Sequence, residues 1–257
     1  MKIVATIQAR MSSSRLPKKV MANIYGNLNT IEIIVARVKK AKLIDEIIVA
    51  TTNHQSDDKL VDFLKKKNIN YYRGSQNNVL LRVVRAARKH KPHLLVQLTG
   101  DNPVVDYEII DYMVRYFKKN YSSFDYITNN GLSNLSNRQI PLGLDVSVIK
   151  FASLNKVLNL VKKKDTKEHP SLYFYREGKK KFRILNLKMK PEWINKNLRL
   201  TLDTQEDLIF FKKLFKKLYK KKGAFFLTKD ILNLQIKNKK IFLINNNIKQ
   251  KLPEGIK

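Results

Sequence analysis

The sequence predicts an α/β fold, a mostly parallel sheet with helices on both faces. Three observations lead there. Short apolar runs rich in β-branched residues recur along the first half of the chain, as at residues 3–7 and 47–51. Between them lie stretches whose apolar residues recur at helical spacing. The connections are short, so strand and helix alternate as they do when parallel strands are joined by crossover helices.

The opening strand, residues 3–7, runs into a segment that no core requires. It holds Arg10, serines at 12–14, Arg15, Leu16-Pro17, Lys18 and Lys19 before apolar residues resume at Val20. Such a loop suits a polyphosphate, because backbone N–H groups and hydroxyls wrap the oxygens while guanidinium and ammonium groups neutralise them. A solvated basic turn fits the same residues. Residues 30–38 carry Ile31, Ile34, Val35 and Val38 on one helical stripe, and 47–51 form a second strand. Ser56-Asp57-Asp58 reads as a helix start, a capping hydroxyl with acids at the positive end of the dipole, leading to inward Leu60, Val61 and Leu64. A strand at 69–72, a helix over about 79–89, a strand at 93–99, a helix over 107–118 and a strand at 124–128 continue the alternation. Ligands of such sheets bind beyond the carboxyl ends of the strands. Here those ends are the Ser/Arg loop, Thr51-Thr52-Asn53, Arg73-Gly74-Ser75 and Gly100-Asp101.

Past Gln139 the pattern loosens. Residues 141–149 alternate as an extended strand, 154–161 are helical, 182–187 and 199–203 read as strands, and 206–219 as a long amphipathic helix. A helix over 225–236 and a polar tail over 237–257 complete the chain. The expected organisation is a main domain over 1–220, carrying an arm near 130–195, followed by a C-terminal helix and tail over 221–257.

The 257 residues are 43% apolar and include no cysteine, which excludes a disulfide scaffold, a thiolate metal site and a cysteine nucleophile. Arg10 interrupts the first apolar run, so a signal peptide is not expected. No stretch approaches the roughly 20 apolar residues of a membrane span, and the expected location is the cytoplasm. The net charge of +31 attracts polyanions. The lysines, however, are spread over 65–67, 162–164, 179–181 and 216–222, and drift toward AT-rich codons gives the same excess of Lys and Asn. Nucleic acid is therefore not the expected partner.

Two acids stand at strand ends in a chain with 21 acidic against 52 basic residues: Asp101 in TGDNP and Asp203 in LTLDT. Brought together beside phosphate oxygens they suit Mg²⁺, which prefers hard oxygen ligands. Taken singly, Asp101 is also a turn residue and Asp203 also a helix cap. Asp145 in GLDV suits a sugar hydroxyl or a structural hydrogen bond equally. His169 in KEHPSLYFY is either a substrate contact or structural. The Walker pattern GxxxxGK[ST] is absent.

The stretches IQARMSSSRLPKKV, DEIIVATTN, YRGS, a helix with Arg82, LTGDNPVVD, YITNN, GLDV, KEH and LRLTLDTQEDL follow one another over residues 1 to about 218. In these the chain resembles the sugar cytidylyltransferases, the acylneuraminate and 3-deoxy-manno-octulosonate enzymes, and most closely the SpsF-type branch of spore coat polysaccharide biosynthesis. The resemblance implies a Rossmann-like nucleotidyltransferase sheet with an inserted dimerisation and substrate arm, and a homodimer. It also implies transfer of CMP from CTP to an acidic sugar or related acceptor, with release of pyrophosphate.

Carried onto this sequence, the resemblance puts Gln8, Ala9, Arg10, Ser12, Ser13, Ser14, Arg15 and Lys19 on the nucleotide, chiefly its phosphates. Thr51, Arg73 and Gln97 would meet base and ribose, and Asn129, Asn130, Asp145 and His169 the acceptor. Asp101 and Asp203 would bind Mg²⁺, with Arg15, Lys19 and Asp101 carrying catalysis. The chain departs from the family pattern at Lys18, usually glycine, at Asn78 and Leu81, usually acids, and in EHPSLYFY, usually EHVTPY. A relative using another nucleoside triphosphate, or a basic nucleic-acid-binding protein without catalysis, are the alternatives.

Overall fold

The computed structural model describes residues 1–132 and 134–251. Its strands are β1 (Ile3–Gln8), β2 (Asn23–Tyr25), β3 (Leu28–Asn29), β4 (Glu46–Thr52), β5 (Tyr71–Gly74), β6 (Leu94–Thr99), β7 (Tyr126–Thr128), β8 (Ser147–Lys150) and β9 (Ile184–Asn186). The helices are α1 (Thr30–Val38), α2 (Asp58–Lys66), α3 (Val79–Arg88), α4 (Tyr107–Lys119), α5 (Phe151–Leu160), α6 (Lys164–Glu168), α7 (Leu172–Tyr175), α8 (Gln205–Lys222), α9 (Thr228–Lys237) and α10 (Lys239–Phe242). Seven strands form one sheet in the order β5-β4-β1-β6-β8-β7-β9, and β2 with β3 makes a separate hairpin. Within the sheet only β8 is reversed, pairing antiparallel with β6 and β7.

Successive strand residues alternate between two cores, as the pleat requires. Ala5, Ile7, Val49, Val96 and Leu98 face a layer built from α1, α2, α4 and α8, while Val4, Ile48, Ala50 and Leu95 face α3, α5 and α7. The expected doubly covered, mostly parallel sheet is the one observed. Among the described residues no helix is long and apolar enough to cross a membrane.

Three expectations are corrected. Residues 199–203 are not a strand: Arg199 makes only an isolated bridge to Leu142, because the neighbouring 141–144 segment is irregular and offers no ladder. For the same reason only Ser147–Lys150 of the expected 141–149 strand joins the sheet. Gly143 lies at φ 101°, and a Cβ there would stand 2.2 Å from the Leu200 carbonyl oxygen, so the two segments approach this closely only at glycine. The stretch expected as a polar tail begins by packing back, with Ile241 and Phe242 buried and Phe242 edge-on to Phe210 of α8.

Arg37, on α1, is fully buried and ties the loop after β6 to the start of the C-terminal segment. It donates to the carbonyls of Val105 at 2.7 Å, Val104 at 3.3 Å, Ala224 at 2.5 Å and Phe226 at 2.8 Å. Replacing it with Met leaves these acceptors without a donor. Arg37→Met is expected to lower unfolding free energy by about 3–5 kcal/mol in urea titration at pH 7.

Candidate active site

The site assembles where β1, β4 and β6 end. Gln8 closes β1, and the loop beyond it is pinned by Asp57, whose fully buried carboxylate accepts the Met11 N–H at 2.7 Å, the Thr51 hydroxyl at 3.0 Å and the Thr52 N–H at 3.1 Å, with the Thr52 hydroxyl also bonded. The helix α2 begins at Asp58, as the Ser56-Asp57-Asp58 start implies, but the expected hydroxyl cap is corrected: the Ser56 hydroxyl pairs with His54 Nδ1, and Asp57 turns inward to donors that a buried carboxylate must have. The loop closes on itself through the Lys18 N–H to the Met11 carbonyl, 2.9 Å, and Val20 re-enters the core.

That return delivers Lys19 to the acids. Its ammonium stands 2.9 Å from Asp101 Oδ2 and 2.8 Å from Asp203 Oδ1, and Arg15 reaches the same Asp203 oxygen at 3.1 Å. Asp101 follows Gly100, whose N–H bonds the Gln8 carbonyl at 2.8 Å; a Cβ on Gly100 would lie 2.9 Å from that oxygen. Thr99 donates to Asp101 Oδ1 at 2.6 Å, and the Leu202 N–H bonds the Asp101 carbonyl at 2.7 Å, which draws the two acid-bearing segments together. Burial opposes the charge on Lys19, but the two carboxylates outweigh it and hold the ammonium's pKa above its ordinary value. Burial likewise raises Asp203, and Lys19, Arg15 and Arg199 overcome it, leaving this carboxyl below the usual range.

Around these residues opens a cleft of about 530 Å³, lined by the Ser12–Ser14 hydroxyl loop, Arg10, Arg15, Lys19 and both acids. A smaller cavity of about 250 Å³ adjoins it and shares Thr99, Asp101 and Gln250 with it. Clustered cations and hydroxyls beside a carboxylate pair can hold a polyphosphate together with a divalent cation.

A family model described as cytidylyltransferase matches residues 4–248. The chain belongs to the cytidylyltransferase family. It is 36% identical over 260 residues to an uncharacterised protein of Methanocaldococcus jannaschii, covering 98% of this chain and 97% of the relative. It is 32% identical over 220 residues to the spore coat polysaccharide biosynthesis protein SpsF of Bacillus subtilis, covering 84% and 87% of the two. A cytidylyltransferase structure from Leptospira borgpetersenii superposes with TM-score 0.85 at 28% identity, over 98% of this chain and 100% of that one.

In this cytidylyltransferase the residues expected on the nucleotide divide. Gln8, Ala9, Arg10, Ser12, Ser13, Ser14, Arg15 and Lys19 all line the larger cleft. Thr51 and Arg73 line neither cavity: Thr51 is buried against Asp57, and Arg73 donates to the carbonyls of Thr52 and His54, both at 3.1 Å, and pairs with Asp58 at 2.7 Å. Of the residues expected on the acceptor, Asn130 and Asp145 line the smaller cavity, as does Gln97, expected on the nucleotide. His169 lines the larger cleft instead, and burial pushes its pKa down. Asn129 is spent on the fold, accepting the Val146 N–H at 2.9 Å and donating to the Leu144 carbonyl at 3.2 Å.

The sequence reading missed Asp57 as an anchor, Arg82 as a lining residue and Arg138 as the partner of Asp145, at 2.7 Å. Arg82 gave a signal, a cation set among Leu80, Val83 and Val84 on the inward stripe of α3. It is 2% exposed and its charge is opposed by burial and by Arg10. The departures from the family pattern differ in consequence. Asn78 still caps α3, accepting the Leu81 N–H at 2.9 Å. Lys18 sits at φ 63°, the left-handed region, where glycine carries no Cβ penalty.

Lys18→Gly is expected to raise unfolding free energy by up to about 1 kcal/mol, read by urea titration. The pKa directions fix a second outcome. The stability from Asp203, whose folded pKa lies below 3.8, is present above that value and lost as pH falls beneath it; that from Lys19 is present below 10.5 and lost above it. Melting temperatures of wild type and Asp203→Asn should therefore differ by a constant amount between about pH 5 and 9 and converge in more acid buffer.

Proposed function

We propose that the chain transfers CMP from CTP to an oxygen of an acidic sugar or related acceptor, releasing pyrophosphate, in the synthesis of a surface polysaccharide or other glycoconjugate. The observation that carries this is the pair of carboxylates converging on one cation beside a serine- and arginine-rich loop, in a member of the cytidylyltransferase family. The SpsF relative, named for polysaccharide biosynthesis, supports the direction of use.

The donor set suits Mg²⁺. Asp101 and Asp203 already share a cationic partner, the Lys19 ammonium, and Mg²⁺ is usually held by one or two carboxylates with water and substrate phosphates filling its remaining positions. Among the described residues no group of three or more His, Asp or Glu side chains forms a fuller cage. When bound, the ion supplies charge neutralisation at the phosphate oxygens.

The chain's own residues do the rest. The serine loop and Arg10 hold the triphosphate so that the α-phosphorus faces the smaller cavity. There Arg138, paired with Asp145, is the cation available to an acidic acceptor. The acceptor oxygen attacks the α-phosphorus in line, its bond forms as that to the bridging oxygen breaks, and its proton passes to solvent. Arg15 and Lys19 take up the charge that develops on the departing pyrophosphate, Lys19 moving from carboxylates to phosphate oxygens. The same proposal has the enzyme cytoplasmic and dimeric through residues 130–195.

The test is pyrophosphate release from each of the four nucleoside triphosphates with Mg²⁺ and a panel of acidic sugars. CTP is expected to be used; release only from another triphosphate, or from none, overturns the proposal. Asp101→Ala and Lys19→Ala should each lower turnover by at least about 100-fold in the same assay, the scale of losing one preorganised electrostatic contact.

A further inference from the structure

Asp203 has two carboxylate oxygens with different surroundings. Oδ1 faces Lys19 and Arg15 in the cleft, whereas Oδ2 is taken from behind by Arg199 at 3.1 Å. Arg199 is itself buried and fixed as a fork. Its Nε and one terminal nitrogen grip the two oxygens of Asp207 at 2.9 and 2.8 Å. Asp207, fully buried in the first turn of α8, also accepts the N–H groups of Asp203 at 2.9 Å and Thr204 at 3.1 Å. Arg199 thus orients the side chain of Asp203 while Asp207 fixes its backbone.

The C-terminal segment closes this arrangement. Asn245, 2% exposed, donates to Asp207 Oδ1 at 2.8 Å and to the Arg199 carbonyl at 3.3 Å. Gln250 accepts from the remaining guanidinium nitrogen at 2.5 Å. A planar guanidinium with two oxygens on one edge leaves little rotational freedom, which an ammonium on a flexible stem does not reproduce. An ion-pair network this buried is poor at adding stability but well suited to fixing direction.

Given the proposed function, in which Asp203 ligates the divalent cation, we infer that Arg199 and Asp207, locked by Asn245, are positioning residues that aim Asp203 Oδ1 at that ion. Groups hydrogen-bonded to a metal ligand commonly change metal affinity by about 10–100-fold when replaced. Neither residue lines the cleft or the smaller cavity; both act through Asp203.

The experiment is Mn²⁺ binding to the full chain, followed by loss of the free-ion electron paramagnetic resonance signal in the presence of CTP without acceptor. Wild type is compared with Arg199→Lys, which keeps the charge but not the fork, and with Asn245→Ala, which removes only the outer lock. Melting curves run alongside. Arg199→Lys should bind Mn²⁺ at least about 10-fold more weakly, and Asn245→Ala measurably more weakly, with kcat falling by a larger factor than the KM for CTP rises. Wild-type Mn²⁺ affinity in the folded variants overturns the inference, even if their melting temperatures drop. Should Arg199→Lys fail to fold, unchanged affinity in Asn245→Ala overturns it alone. Absence of Mn²⁺ binding by wild type is a different result, one that removes the metal role of Asp203 itself.

Discussion

Asp101 and Asp203 come from distant parts of the chain, and side by side in a partly buried site they repel one another. Unrelieved, that repulsion pushes one of them to take up a proton or forces the segments apart. The Lys19 ammonium lies against both and removes the conflict, with Arg15 and Arg199 adding positive charge around Asp203. Everything that makes the cleft chemically capable follows from this compensation. Asp203 keeps its charge despite burial, and the basic loop is drawn against the pair through Lys19 and Arg15.

The fold can be seen as the apparatus that brings these three side chains together. Parallel pairing of β1 with β4 and β6 sets their ends side by side, Asp57 holds the loop after β1 to the end of β4, and Gly100 lets β6 turn tightly against Gln8. Asp203 has no strand to carry it. It is held instead by the 199–203 segment lying along 141–144, by the backbone bond from Leu202 to Asp101, and by Asp207 at the start of α8. The charge placed on Lys18 is harder to account for, since the residue sits in a left-handed turn where its side chain costs energy. Among the described residues no side-chain partner of Lys18 offsets this.

What could be read from the sequence was what local pattern encodes. The strands at 3–7, 47–51 and 93–99 are dense in β-branched and apolar residues, so they announce a buried parallel sheet, and the loop after the first of them stands out because no core needs its composition. The acid pair could be picked out because acids are scarce here. Direction could not be read. Thr51 is a polar residue at a strand end, yet its hydroxyl points to Asp57 and away from the cleft. Asn129 looks like a ligand and is consumed by two backbone groups. Asp57, Arg138 and Arg199 have roles set by partners that only the folded chain supplies. Ile241 and Phe242 are hidden in the sequence among lysines and asparagines, and only packing against α8 reveals them as core.

The most direct measurement is anomalous diffraction from crystals soaked with CTP and Mn²⁺. The account predicts one manganese peak in contact with oxygens of both Asp101 and Asp203 and of the triphosphate, with the Lys19 ammonium moved off the carboxylates onto phosphate. A triphosphate bound elsewhere, or a metal held away from this pair while Lys19 still bridges them, contradicts it.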